Sequence, residues 1–448
     1  MLDPATASDT LAALIAQARR AGADAADAVY VGDRSTAVGV RLGALEDVSR
    51  SEGQEIGLRL FVGRQNAAVA SSDLSRDSLA ALVERAVAMA RAAPEDQYAG
   101  LAPDALLMSG DRAGLDLDDG GDPDPAALRL SAEAAEDAAR GVAGITNSNG
   151  ASASASASTF AIATSHGFVG VTRATGYSCS ASVVAGEGAG MQRDYGWHAA
   201  RHLTDLEDPQ AIGHRAGARA AARLNPVRVK PGPMTVMFDP RVATTLLGHF
   251  VAAISGGAIA RQASFLLDAL GTRVFAPGVT IHDDPLRVRG LRSRAFDGEG
   301  LPVAASDLVA DGVLTTWLAD SAAARQLGIA PTGHAVRGVS GAPGAGPSNL
   351  VIQPGARSRE AMIADVKNGI LVTELIGMGV NGVTGDYSRG AAGFAIVNGE
   401  IGPAVSEITI ASNLKAMFAS LEPASDLAIR RGIDSPTLLV PEMMVASA

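Results

Sequence analysis

Hydrophobic and polar positions alternate along this chain with two different periods. In residues 9–22, DTLAALIAQARRAG, apolar positions recur at helical spacing; Ser8 or Asp9 is placed to cap the start and Gly22 to stop the end. From 25 to 71 the period becomes two. DAVYVGD, STAVGVRLG, LEDVSRS, EIGLRLFVG and NAAVASSD are short alternating runs separated by Gly, Asp and Asn, which predicts a strand meander. The helical period returns at about 75–93, with Leu79, Leu82, Val83 and Val87 on one face. Helix, sheet and helix in that order is an α+β pattern and not the βαβ alternation of a parallel sheet.

Residues 94–124 are rich in Pro, Asp and Gly and read as a surface loop, and 125–142 return to helix. Residues 145–205 read as a second set of strands. They include ASASASAS at 151–158, which composition alone would make a flexible linker; its continuation into TFAIATSHGFVGVTRATGYSCSASVVAG favours a strand of small residues. A helix at 208–224 follows. Asn225-Pro226 and Lys230-Pro231-Gly232-Pro233 then make the best boundary. The expectation is an N-terminal α+β domain, 1–225, and a mostly antiparallel, β-rich C-terminal domain with a few helices, 226–448. In the second domain PMTVMFD reads as a strand and 240–260 as a helix running into Gly256-Gly257. Strands and turns are expected over 279–318, a short helix at SAAARQLG and a glycine-rich loop at 335–347. Another helix is expected at about 358–368, followed by the strand GILVTELIGMGV. GFAIVNGEIGPAVSEITI reads as a strand pair turning at Asn398-Gly399.

Composition narrows the function classes. Hydrophobic residues make up 47% and aromatic residues only 4%, so the core is built mainly from Ala, Val, Leu and Ile. The net charge of −11 argues against nucleic acid as a partner, because neutralising phosphates needs clustered Lys and Arg. No run of 18 apolar residues predicts a membrane span, and Met1-Leu2-Asp3-Pro4 does not read as a secretory signal. The single cysteine, Cys179, suits a reducing, cytoplasmic setting.

Few residues form chemical constellations. His249 lies in LLGHFVAAISGG, but Phe250 follows it and Ala253 and Ile254 stand where a zincin would need its second His, so it reads as a buried or capping residue. His198 and His202, with Asp194 and Asp205 nearby, lie in a segment that reads as strand or loop and lack an evident third ligand. His282-Asp283-Asp284, followed by Pro285, reads as a solvated turn. Cys179 has no basic neighbour to lower its pKa and reads as a small core residue. A cluster in TELIGMGVNGVTGDYSRGAAGF is more suggestive: Glu374, Gly379, Asn381, Gly382, Asp386, Tyr387 and Arg389. Its glycines would let backbone approach backbone, as in a cleft whose strand edges pair with an extended peptide. A structural turn held by an Asp386–Arg389 ion pair is the alternative.

Five long blocks carry a resemblance: SNGASASAS at 148–156, ASVVAGEGAGMQRDYGW at 181–197, LLGHFVAAISGGAIARQASFLLDALG at 246–271, DGVLTTWLADSAAARQLG at 311–328 and MGVNGVTGDYSRGAAGFAIVNGEIGPAVSEITIASNL at 378–414. In these the chain resembles the TldD/TldE (PmbA) family, and within it the TldE/PmbA branch. The resemblance implies a two-domain α+β protein that pairs with a TldD-type subunit in a peptidase acting on unfolded or small peptides. In that family the TldD subunit carries His-Glu-x-x-x-His and a Cys ligand. Laid on this chain, the motif falls on His249, Phe250 and Ile254, so no metal is expected here and zinc is expected in the partner. Older family labels speak of modulators of DNA gyrase, which neither the charge nor any motif of this chain supports.

Three functions follow as alternatives: a zinc-less subunit forming a heterodimer with a TldD-type chain, a stand-alone homodimeric peptide-binding or scaffold protein without hydrolysis, and an independent hydrolase with an unusual site.

Overall fold

The computed structural model describes residues 1–110 and 114–447. α1 (Pro4–Arg20) starts earlier than its periodicity predicts, because Asp3 caps it in place of Ser8 or Asp9. The Asp3 carboxylate accepts the Ala5 and Thr6 amides, both at 3.0 Å, and Pro4 occupies the first turn. The helix ends where expected, with Gly22 at φ 102°.

A long-stranded sheet follows. It comprises β1 (Ala25–Arg41), β2 (Ala44–Val62), β3 (Gln65–Ser71), β4 (Ile145–Thr164), β5 (Val169–Ala185) and β6 (Gln192–Ala200), with α2 (Arg76–Ala92), α3 (Pro125–Arg140) and α4 (Pro209–Ala222) at the connections. The order is β3-β2-β1-β4-β5-β6, antiparallel throughout. Runs that read as separate short strands are continuous: DAVYVGD and STAVGVRLG are both β1, and LEDVSRS and EIGLRLFVG are both β2. The four helices cover one face. Ala26, Ala28 and Tyr30 of β1 pack with α1 and α2, and Val38 and Val40, at the same strand parity, pack with α3 and α4. The ASASASAS run is strand, as its context predicts. Ala151, Ala153 and Ala155 point into the helix-covered core, while Ser152 and Ser154 meet Ser180 and Ser178 across the strands at 3.0 and 2.8 Å. Small side chains let α3 and α4 approach closely; a Cβ on Gly213 would lie 1.9 Å from the Ala135 carbonyl oxygen.

The second half contains β7 (Gly232–Phe238), α5 (Pro240–Ala253), α6 (Gly256–Ala260), β8 (Ile281–Asp283), β9 (Ser306–Ala310), β10 (Val313–Leu314), α7 (Ser321–Leu327), β11 (Ala335–Val336), β12 (Gly344–Ala345), β13 (Leu350–Ile352) and α8 (Arg359–Ala364). It continues with β14 (Asn368–Ile376), β15 (Asp386–Val397), β16 (Glu400–Asn413), α9 (Leu414–Ser420), β17 (Glu422–Pro423), β18 (Ile433–Asp434) and β19 (Leu438–Ser447). The main sheet runs β16-β15-β14-β7-β19-β17, and a further β16–β19 pairing closes five of its strands into a ring. One face of these strands packs on α5 and α9, the other on α8. A smaller sheet, β10-β9-β8-β13-β18, lies alongside. The fold is thus of the α+β class that the pattern predicts.

Several expectations need correction. The helix expected over 240–260 breaks after Ala253, because the Gly256 amide turns to the Leu318 carbonyl at 2.7 Å and the Ser255–Leu318 bridge draws the chain aside. The glycine-rich loop at 335–347 contains the small β11–β12 pair. His282-Asp283-Asp284 is no solvated turn: Asp283 is buried in β8 and accepts the Ser348 amide and hydroxyl, both at 2.8 Å. Residues 94–124 do not simply run over the surface. Leu101, Ala102 and Leu117 are buried, and the Met108 amide donates to Gly300 O at 2.9 Å; residues 111–113 of this stretch lie outside the described residues.

The uncovered face of the first sheet meets the second half. Val29 and Ile162 pack there on Phe168 and Phe296. Beside them the buried Asp27 carboxylate accepts Arg59 Nε at 2.6 Å through one oxygen, and Arg337 Nε and Nη2 at 3.2 and 3.1 Å through the other. Glu299 completes the cluster, accepting the Ser321 amide at 2.7 Å with Arg59 4.0 Å away. Burial pushes the Glu299 carboxyl up to about 7 despite these partners.

This raised pKa makes stability depend on pH. Below about 4.5 Glu299 is protonated in both states and costs nothing; as pH rises toward 7 the unfolded chain ionises first, and stability falls. In urea titrations Glu299→Gln should therefore gain stability relative to the parent between about pH 4.5 and 7, by up to about 3 kcal/mol. A difference independent of pH would contradict this account.

Candidate functional site

The region to which the sequence points lies where α5, the end of β14, the start of β15 and the loop 377–385 converge. α5 begins at the Asp239 cap, whose carboxylate accepts the Arg241 amide at 3.2 Å, with Pro240 at the first position. Val242, Ala243, Leu246, Leu247, Phe250 and Ala253 form its buried stripe. Phe250 is fully buried, edge-to-face with Phe275 at 5.2 Å and Phe418 at 6.3 Å between ring centroids. Ile254, the residue after the helix, is also fully buried. His249 stands on the flank of the stripe. Its ring meets Tyr387 edge-on at 6.1 Å, and its Nε2 is buried without a hydrogen-bond partner. Burial, with the nearby Arg389 charge, lowers its pKa, so the imidazole is neutral at pH 7.

A zinc ion does not fit these residues. Of the three motif positions only His249 offers a ligand atom, while Phe250 and Ile254 present carbon to the core. Among the described residues no group of three or more His, Cys, Asp or Glu could hold a metal. His198 Nδ1 accepts the Glu207 amide at 3.1 Å, and His202 Nε2 bonds the Asp116 carbonyl at 2.9 Å, so these two histidines act in the packing of the β6 end. Cys179 is fully buried and burial pushes its thiol up to about 11, as suits a core residue.

The loop residues mostly gather. The Asn381 carboxamide oxygen accepts the Val383 and Thr384 amides at 2.9 and 3.3 Å, and the Asn381 amide donates to the Asp386 carbonyl at 2.9 Å. Gly379 lies against β15. The Ser388 amide donates to its carbonyl at 2.7 Å, and a Cβ there would sit 2.0 Å from Ser388 O. Gly382 passes its carbonyl to the Phe265 amide at 3.0 Å. Asp386 accepts Thr384 Oγ1 at 2.7 Å and Asn413 Nδ2 at 3.2 Å, which lowers its pKa. The considered Asp386–Arg389 ion pair does not form, since residues three apart on a strand face opposite ways. Arg389 instead shares a face with the buried Tyr387; its Nε and the Tyr387 hydroxyl are both buried without partners, and burial raises the phenol's pKa. Glu374 is set apart: it pairs with Arg223 at the end of α4, in a chain of charges running through Asp194 to Arg241.

The strand edges expected to receive a peptide are largely taken, because β14 pairs with β15 on one side and with β7 on the other over Gly369–Val372. The open surface is the loop itself. Met378 is 86% exposed, and Ile376 and Val383 are more than half exposed. Beside Val383 runs a groove of about 630 Å³ walled by Phe265, Leu267, Val274 and Ala419, with Arg273 and Lys415 as cations. Two of its walls, the 264–274 segment and α9, were not read from the sequence. α9 had a local signal in the Asn413 cap and the Leu414, Met417 and Phe418 stripe; the 264–274 segment has no regular period to find.

Comparison with known proteins places this geometry in a class, that of metallopeptidase-type chains. Residues 26–90, 118–224 and 231–447 match the profiles described as PmbA/TldA metallopeptidase domain 1, central domain and C-terminal domain. The chain is 36% identical over 425 residues to Metalloprotease PmbA of Escherichia coli O157:H7, covering 94% of this chain and 92% of that one. It is 35% identical to a PmbA homolog of Haemophilus influenzae, covering 96% and 93%. The chain belongs to the PmbA/TldD family. A crystal structure from Bacteroides thetaiotaomicron, described as a modulator of DNA gyrase, superposes with a TM-score of 0.90 at 26% identity, over 98% of each chain. TldE from Thermococcus kodakarensis shares the fold, with a TM-score of 0.86 at 20% identity over 98% of this chain and all of that one.

Phe250→Glu should bury a carboxylate between Phe275 and Phe418. In urea unfolding it should cost about 4 kcal/mol or more. A variant as stable as the parent would show that position 250 can face a solvated site.

Proposed function

We propose that this chain is a non-catalytic, TldE/PmbA-type subunit of a heteromeric metallopeptidase whose TldD-type partner holds the zinc, and that the complex degrades or processes unfolded peptides in the cytoplasm. The observation that carries the reading is the burial of Phe250 and Ile254. A general base at the first position would deprotonate a metal-bound water, and a second His would hold the metal; both side chains are instead packed in the core.

In this reading the chain contributes binding surface. Exposed Met378 and Val383, the adjoining groove and the positive charge of Arg389 would receive an extended peptide beside the partner's active site, with Gly379, Asn381, Gly382, Asp386 and Tyr387 holding the loop in shape. Glu374 would serve the join between the two halves and not the substrate. Family membership and the metalloprotease naming of the relatives support the peptidase assignment. No helix among the described residues is long and apolar enough to cross a membrane.

The test is peptide hydrolysis by this chain alone, by a TldD-type chain alone, and by their mixture. The expected result is co-elution of the two chains and cleavage that rises strongly only in the mixture. Cleavage by the isolated chain would overturn the proposal. Peptide binding by a homodimer that ignores the TldD-type chain would replace it with a stand-alone binding protein.

A further inference from the structure

We propose that the pocket between β6, α4, the start of α5 and residues 426–435 binds a small dianionic oxyanion, a phosphate group in its best-fitting form, which bridges the two halves of the chain. The pocket measures about 190 Å³; Arg215, Arg219, Arg241, Arg359, Arg430 and Arg431 line it together with Asp239, Asp426 and Asp434. Six guanidinium groups meet there in a chain of net charge −11.

The carboxylates nearby are already committed. Glu207 binds both Arg215 and Arg430, at 2.5 and 2.6 Å. Asp194 takes Arg241 at 2.6 and 3.0 Å and Arg223 at 3.4 Å. Asp239 caps α5 and accepts Arg359 at 3.3 Å. Asp426 accepts the Thr437 amide and hydroxyl, and Asp434 accepts the Arg431 and Gly432 amides. Arg219 and Arg431 therefore have no carboxylate partner among the described residues. Arg219 reaches only the Tyr195 carbonyl, at 3.4 Å. Arg431 lies over the Trp197 ring, 4.9 Å from its centroid, and donates to the Arg241 carbonyl at 3.3 Å.

Half-buried cations without a direct carboxylate partner are costly, and burial and the Arg241 charge disfavour the charge on Arg219 more than the charges of Asp239 and Asp194 favour it. A dianion would neutralise both. Two guanidinium forks suit the bidentate geometry of a tetrahedral oxyanion, and a cavity of about 190 Å³ has room for a phosphate. The adjacent cavity of about 210 Å³ shares His198, Arg430 and Arg431, and near it Arg201 Nε and Arg287 Nη1 are buried without hydrogen-bond partners. Cationic groups short of acceptors thus continue along the seam. Trp197, Arg215 and Arg219 come from the first half, and Arg241, Arg359 and Arg431 from the second, so a bound anion would tie the halves together.

The experiment is calorimetric and thermal titration of the full chain with inorganic phosphate, at ionic strength held constant with chloride. The expected result is one saturable site and a rising melting temperature. Arg219→Gln and Arg431→Gln should each weaken phosphate roughly tenfold or more while the chain stays folded, and Arg219→Lys should recover part of the loss. Exposed Arg50→Gln is the control that should change nothing. O-phosphoserine binding as well as free phosphate would mark a phosphomonoester site; binding of free phosphate alone would mark an inorganic-ion site, and both support the proposal. No saturable phosphate binding by the parent chain, acetate binding as tightly as phosphate, or unchanged affinity in both Gln variants would overturn it.

Discussion

The packing of α5 against the closed ring of strands sets the terms for the second half of the molecule. Six side chains of this helix are buried, and Phe250 joins Phe275 and Phe418 in an aromatic cluster that ties the helix to α9. A residue that fills a core cannot also line a solvated metal site, because the two tasks need opposite surroundings on the same face. His249 survives on the flank of that stripe, where its ring touches Tyr387 and Arg389 lies close. The apolar face of the helix is thus spent on packing.

A second constraint is the join between the halves. The first sheet covers one face with helices and gives the other to the second half, and that face carries Asp27 between Arg59 and Arg337. A buried carboxylate with two guanidinium partners fixes orientation, since losing either partner would strand a charge. Farther along the seam, Arg223 links Asp194 to Glu374, so a residue of the loop-bearing strand is held by the end of α4. The exposed loop at 377–385 is therefore mounted on a rigid base, and its own shape comes from Asn381 and the close approach of Gly379 to β15.

Much of this was legible in the sequence where period and local chemistry agree. The alternation of Ala and Ser at 151–158 is one such place, because the small side chains facing the helices and the hydroxyls facing away are both written in the order of residues. The burial of Phe250 on α5 and of Ile254 just after it was legible because both are large apolar side chains in an apolar stretch. What stayed hidden depends on distant partners. Asp283 looks like a turn residue until Ser348, remote in sequence, supplies two hydrogen bonds. Arg389 looks like a partner for Asp386 until the strand turns the two apart. β19 escaped notice because Pro441 interrupts it, and the bulge between Val440 and Met443 that accommodates this is visible only in the pairing with β7.

The central claim is that the motif helix of this chain is a core element and not a metal site. Equilibrium dialysis of the isolated, folded chain against buffered micromolar zinc, read by elemental analysis, tests it most directly. The account predicts well under one zinc per chain, and no change when His249 is replaced by Ala. One zinc per chain, lost in His249→Ala, would contradict it.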